Sequence, residues 1–571
     1  MTTTIFSQQP PIENGVPITL AQWRAKHYSD IRYKLNITLE KGAPLMKGEI
    51  EISVKLDEEG AKNDLILDWR TTQFQNDKGK PYAHVTSLNG KTPLVIEVAE
   101  HLRISREHLK IGENIIKIEF ASPIKTSGSA ITRYIDKEDG SEYIYSLFVP
   151  SDASTAFPVF DQPDLKARFR LLVDVPKDWK VVSNTQGKSS EMTTDAFQLP
   201  GQPYMGSVNF ITEFPETKPI STYVFAFAAG NFTRFSESNF SKNLTTFSEP
   251  RKKTEFVWDK SSPNSVAMTK EKIEGLDIYV RKSQAEKFKP HAQEVFRLNR
   301  ECVKYLEEYF DYKFPFPKYD LVLIPEFPFG GMEHAGATFL RENSIIFPSE
   351  PTKNDYISRA TLIFHETAHQ WFGDTVTMKW FDDLWLKEGF ATFMGFKALE
   401  KIMPESNAWK AFYERNKQSA YQTDSTKGTT PIYQEIPNLS AAKSAYGAIV
   451  YSKAPSFLKQ AEFFLGEKEF QTAVRSFLKK HEFANATWQD LVNEFEIAKK
   501  EDLKDWSNAW VTKRGMPVIR IVQNDVHEYE ELGKPHDTAV IYSFKQNDIL
   551  NENNFWLLKT KVYQHFEKNN N

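Results

Sequence analysis

Cysteine is almost missing from this chain: Cys302 is the only one in 571 residues. A single thiol can form no intrachain disulfide and supply no cysteine zinc cluster. It falls in RLNRECVKYLEEYF, a helical pattern in which a small buried hydrophobe is the plain expectation. Long apolar runs are missing too, and nothing approaches the roughly 18 residues of a membrane-spanning helix. The opening MTTTIFSQQPPIENG lacks both a basic start and the apolar core of about 7–15 residues that marks a secretory leader. A cytoplasmic location is therefore expected, or a periplasmic or secreted one if a leader has been removed. Nor is there an excess of positive charge. Lys and Arg number 72 against 76 Asp and Glu, a net charge of −4, which argues against nucleic acid or an acidic membrane as partner. No internal repeat and no long low-complexity segment is present.

What remains is an ordinary globular composition, 40% hydrophobic and 26% charged, in a chain long enough for roughly three to four domains. A monomer is expected. From about His27 to Phe232 the pattern is of strands and turns. Glu49 to Leu56 and Ile116 to Phe120 alternate apolar and polar, and Asn89-Gly90 and Asp139-Gly140 mark turns. Phe169 to Val175 and Tyr223 to Ala228 are more continuously apolar, as strands buried on both faces would be. After a polar stretch and a strand at Leu276 to Arg281, helical periodicity takes over to about Trp510. One strand interrupts it, from Asp320 to Pro325. Thr487 with Asp490 reads as an N-cap. Strands are expected again at Val518 to Val522, Ala539 to Phe544 and Leu557 to Val562, before a disordered EKNNN tail. The expected fold class is multidomain α+β: an all-β domain over 1–232, a mostly helical domain over 233–515, and a short β segment over 516–571.

Chemistry concentrates in one segment, Ile363-Phe-His365-Glu366-Thr-Ala-His369-Gln370-Trp-Phe372. Residues four apart on a helix share a face, so His365 and His369 can converge on one ion. Gly373 follows where a helix would be capped. Glu388 lies nineteen positions after His369 on a second helix, FDDLWLKEGFATFMGFKALEKI, which Pro404 ends. Two imidazoles and one carboxylate leave the fourth position of a zinc ion open, as catalytic sites require. Taken alone, Glu388 would be an ordinary solvated glutamate. Its bulky apolar neighbours argue instead for burial, and a buried carboxylate needs a cation. One zinc ion per chain is expected. Glu366, next to His365 on the helix, can point at a bound water rather than the metal and is the candidate to take its proton as a general base.

HETAHQWFGDTVTMKWFDDLWLKEGFATF closely resembles the zinc segment of the gluzincin aminopeptidases, the family of aminopeptidase N, puromycin-sensitive aminopeptidase and leukotriene-A hydrolase. Phe160-Asp-Gln-Pro-Asp-Leu-Lys-Ala167, Phe329-Gly-Gly-Met-Glu-His-Ala-Gly336, Tyr451-Ser-Lys-Ala454 and Trp510-Val-Thr-Lys-Arg-Gly-Met-Pro517 extend the likeness over residues 30 to 520, in family order. The resemblance implies a saddle-like N-terminal β domain, a thermolysin-like catalytic domain, and removal of N-terminal residues from peptides with a free amine. It implies that Tyr451 stabilises the oxyanion and that Glu333 binds the substrate's α-ammonium. The loop Gly330, Gly331, Met332, Glu333, His334 and Ala335 would line the substrate site, with Tyr446 in the pocket wall. Without the resemblance Tyr451 is a packed core tyrosine, and the glycine-rich loop simply a turn.

Three positions depart from the family pattern. His334 stands where Asn is usual, and Ala454-Pro455 where a glycine is usual. Val149 stands where many members carry a second ammonium ligand, with Asp152 nearby as a candidate substitute. The last 55 or so residues correspond to the start of a β-sandwich that, in longer members, leads into a helical domain over the active site. The alternatives are a catalytically silent binding protein on the same scaffold, an endopeptidase and, more remotely, an epoxide hydrolase.

Overall fold

The computed structural model describes residues 10–73, 81–192, 209–237, 276–529 and 537–561. The strand–helix–strand order expected from the pattern is observed. Alternation in the 49–56 segment becomes the strand Leu45–Leu56, with Ile50, Ile52 and Val54 buried and Glu49 and Lys55 exposed. It belongs to a seven-stranded sheet, in the order Lys188–Met192, Asn209–Phe214, Ala167–Pro176, Tyr28–Thr38, Leu45–Leu56, Gly112–Pro123 and Tyr82–Leu88. Neighbours run antiparallel except Tyr28–Thr38 beside Ala167–Pro176. A four-stranded sheet follows, in the order Lys180–Ser183, Phe227–Gly230, Glu142–Ser146 and Ile131–Ile135. Phe148, Phe157, Phe169 and Phe225 cluster in the core, with Phe169 and Phe225 stacked 4.3 Å apart.

Three strand expectations need correction. The strand Ala167–Pro176 buries one face only, because Arg170 is exposed between buried Phe169 and Leu171. Within 223–228, Thr222–Val224 is a 3-10 turn, and the strand there is Phe227–Gly230. A continuous apolar run reports burial, and burial does not distinguish a strand from a buried turn. Residues 557–561 form no strand. They lie beside the helix Lys504–Val511, where the Trp510 indole donates to the Leu557 carbonyl at 3.0 Å. The expected end of that strand at Val562 and the EKNNN tail lie outside the described residues. The other two C-terminal runs pair as an antiparallel hairpin, Pro517–Tyr529 with Asp537–Asp548.

One buried charge ties the β region together. Arg24, on the helix Ile18–His27, donates to both oxygens of Asp68 at 2.9 and 2.7 Å. Asp68 also accepts the Asp161 backbone N–H at 2.7 Å, which anchors the Phe160–Ala167 motif. Both side chains are essentially inaccessible. Asp68→Ala is expected to cost about 3–5 kcal/mol, because it strands a buried guanidinium. Urea denaturation measures this, and a loss below about 1 kcal/mol would contradict it.

Helices dominate from the 26-residue Ala285–Phe310, which buries Cys302 as expected, to Lys504–Val511. The capping box at Thr487 is present, closed by Asp490. Beside the helices lies a five-stranded sheet, in the order Phe232–Ser236, Asp277–Arg281, Asp320–Ile324, Ala337–Arg341 and Gly331–Met332. Its last member, the two residues Gly331 and Met332, runs antiparallel to Ala337–Arg341 and forms the sheet edge.

Candidate metal centre and substrate cavity

Thr352 and Asp355 form a reciprocal capping box that starts the helix Lys353–His369. His365 and His369 occupy its last two turns. The helix ends at His369 and is capped at Gln370, so Gly373 lies beyond the cap. Glu388 sits in the first turn of the neighbouring helix Trp385–Ile402, which a 3-10 turn at Phe381–Asp383 precedes. The two helices meet at Gly395, where a Cβ would stand only 3.3 Å from the His365 backbone nitrogen. This close approach brings three donor atoms together. The Nε2 atoms of His365 and His369 are 3.1 Å apart, and Glu388 Oε2 lies 3.4 and 3.3 Å from them. A tetrahedral ion with bonds of about 2.0–2.1 Å requires ligand separations of about 3.3 Å, so the set fits zinc. The Phe372 carbonyl, 2.9 Å from His369 Nδ1, can only accept, which places a ring proton there and leaves Nε2 as the nitrogen an ion would take. Thr392 Oγ1 lies 3.3 Å from His365 Nδ1.

Glu366 is buried one residue along from His365, against the edge strand. A Cβ on Gly331 would come within 2.5 Å of Glu366 Oε1, so only glycine lets backbone and carboxylate approach this closely. Glu333 follows that strand. Gln370 clamps the loop from the motif helix, accepting from Gly336 N at 2.8 Å and donating to Glu333 O at 3.0 Å. Lys387 pairs with Glu333 Oε1 at 2.6 Å and with Glu388 Oε1 at 3.0 Å. Burial raises the pKa of the Glu366 carboxyl against the pull of His369, to about 8. Burial acts the same way on Glu333 and Glu388, but Lys387 and His369 outweigh it and hold both below the usual range. Burial lowers the pKa of His369, yet Glu333 and Glu388 lift it to about 9. This excess of negative charge around two imidazoles suits a cation. Glu333, Glu366 and His369 form a second group with ligand atoms within 4.8 Å of one another. The first group is the better metal site, because its three donor atoms stand 3.1–3.4 Å apart and Lys387 takes only the other oxygen of Glu388.

A cavity of about 530 Å³ opens onto these atoms. Gly330, Gly331, Met332, Glu333, His365, Glu366, His369, Glu388, Tyr446 and Tyr451 all line it. Tyr451 lies on a π-helical turn, Ile449–Lys453, with its ring 6.2 Å from that of His365. Burial pushes its phenol well above the ordinary value, so it keeps its proton. His334 and Ala335 do not line the cavity. Both are buried, and the His334 ring stands 4.4 Å from Phe339 with its pKa pushed down to about 3 by burial. Val149 does line the cavity, whereas Asp152 is held away from it by Arg70 at 2.6 Å and Lys443 at 2.7 Å. Asp152 is thus no substitute for the missing second ammonium ligand. Ala454, where a glycine is usual, packs against Gly389, whose Cβ position lies 3.0 Å from its methyl carbon. The sequence reading missed Lys387, Gln370 and Thr392. For Lys387 the signal was present, since a buried Glu388 demanded a cation and its preceding neighbour is one.

Residues 26–224 match the family model for the peptidase M1 N-terminal domain, and residues 295–510 that for the peptidase family M1 domain. The chain belongs to peptidase family M1. It is 34% identical to an aminopeptidase N of Streptomyces lividans over 77% of this chain and 46% of that protein. It is 30% identical to a leucyl aminopeptidase of Saccharolobus solfataricus, over 73% of this chain and 47% of the relative. A puromycin-sensitive aminopeptidase of Caenorhabditis elegans is also 30% identical, over 70% and 37%. This M1 chain spans about half or less of the length of these curated relatives. Zinc dependence is general in the M1 family, and His365, His369 and Glu388 form its candidate metal site here. Among the described residues no helix is long and apolar enough to cross a membrane.

Proposed function

We propose that this chain is a zinc aminopeptidase that removes single residues from peptides with a free N-terminus, with one ion per monomer held by His365, His369 and Glu388. The observation that carries the reading is the meeting of those donors, 3.1–3.4 Å apart, with Glu366 and Glu333 in one cavity. Zinc, when bound, supplies a Lewis acid that polarises the scissile carbonyl and acidifies water. Glu366 takes the proton of the attacking water and delivers it to the leaving amine. Tyr451 donates its hydroxyl to the carbonyl oxygen as charge builds there. Glu333 binds the α-ammonium, so only the first peptide bond reaches the reacting centre. The edge strand at Gly331 and Met332, continuous with Gly330, offers backbone groups to an extended substrate. Tyr446 walls the pocket, while His334 and Ala335 support the loop from behind. The proposed division of the chain is 1–232, 233–515 and 516–571.

Aminoacyl-nitroanilides and their N-acetylated counterparts, assayed with and without a zinc chelator, test this reading. Chelation and acetylation are each expected to abolish nearly all hydrolysis, with one zinc per chain before chelation. Zinc content near zero would favour a silent scaffold. Equal cleavage of acetylated peptides would favour an endopeptidase.

A further inference from the structure

Among the described residues Lys387 is the one cation that pairs with both functional carboxylates, and it is almost wholly buried. Its ammonium sits 4.7 Å from the Tyr223 ring centroid and 5.8 Å from that of Tyr446, so aromatic faces flank it. The division of oxygens is the informative part. Lys387 takes Oε1 of Glu388 at 3.0 Å, while Oε2 of the same carboxylate faces the two imidazoles at 3.4 and 3.3 Å. It also takes Oε1 of Glu333 at 2.6 Å and leaves Glu333 Oε2 outside the bridge. Each carboxylate therefore has one oxygen tied to Lys387. Without the ammonium, two carboxylates would face each other in a buried setting, where like charges repel strongly.

We propose that Lys387 is a positioning residue that couples the metal ligand Glu388 to the ammonium anchor Glu333, setting the affinity for both zinc and the substrate's free amine. The inference rests on the roles proposed above for those two glutamates. It assigns Lys387 no contact with the reacting atoms. Val149 offers no second anchor in the cavity, so the amine leans the more on Glu333, and hence on the lysine that orients it.

Lys387→Met keeps the apolar stem between the two rings and removes the charge. Its zinc affinity, measured by competition with a chromogenic chelator, is expected to weaken roughly 10- to 100-fold, as for partners of ligating groups. At saturating zinc, KM for an aminoacyl-nitroanilide should rise about tenfold or more while kcat changes less. Methylammonium is expected to recover part of both losses by re-entering the vacated site. Wild-type values for zinc affinity and KM in a folded variant would overturn the proposal. So would a fall in kcat alone. Lys387→Gln, which can donate to one carboxylate but carries no charge, is the second variant and should shift both readouts in the same direction. Failure of both variants to fold would make the ammonium a requirement of folding and would also overturn the coupling role. The wild type is measured first. If it neither binds zinc nor hydrolyses the substrate, the proposed function fails; if it does both and the variants match it, only the role of Lys387 fails.

Discussion

Glu366→Gln is expected to bind zinc like the wild type and to lose turnover by about a thousandfold, within the 10²–10⁴ range for general acid–base groups. That loss corresponds to about 4 kcal/mol of transition-state stabilisation. The substitution is close to isosteric. Glutamine keeps the fit against Gly331, whose Cβ position lies 2.5 Å from the glutamate oxygen, and it touches none of the three donor atoms assigned to the ion. What it cannot do is accept a proton from water. Metal content and steady-state rates therefore separate cleanly. A variant turning over at near the wild-type rate would remove Glu366 from the mechanism, and one that had lost its zinc would make it a ligand.

Tyr451→Phe should lower kcat by about 10²–10³, the usual cost of removing one donor from a developing oxyanion, with little change in KM. The ring stays packed beside Tyr446, 6.4 Å between centroids, so phenylalanine preserves the cavity wall and deletes only the hydroxyl. An effect confined to KM would return Tyr451 to the role of a packed wall residue, which is how the sequence reads without its family likeness.

Periodicity was a reliable guide where one face of an element is buried. The 49–56 alternation and the amphipathic 285–310 helix both formed as expected, because period 2 and period 3.6 each leave a separate signature. It failed where every residue is buried, at 223–228, and at 557–561, where a strand-like run has no partner strand among the described residues. The convergence of His365, His369 and Glu388 was legible because spacing fixes the first two and apolar neighbours flag the third. The surroundings of the site were harder to read. Whether His334 faces a ligand or a phenylalanine depends on the path of a loop, and Asp152 looked available until its pairing with Arg70 and Lys443 was seen. The first is set by a loop that folds back within five residues, the second by partners 82 and 291 positions away.

Gln370 immediately follows His369, yet its amide holds the carbonyl of Glu333 and the N–H of Gly336. The turn that ends the motif helix therefore carries, as one rigid piece, both the end of the ion's cradle and the mooring of the loop where an amine would dock. On the proposed roles, the interval between docked amine and severed bond is a fixed gauge built into this turn, one amino acid long.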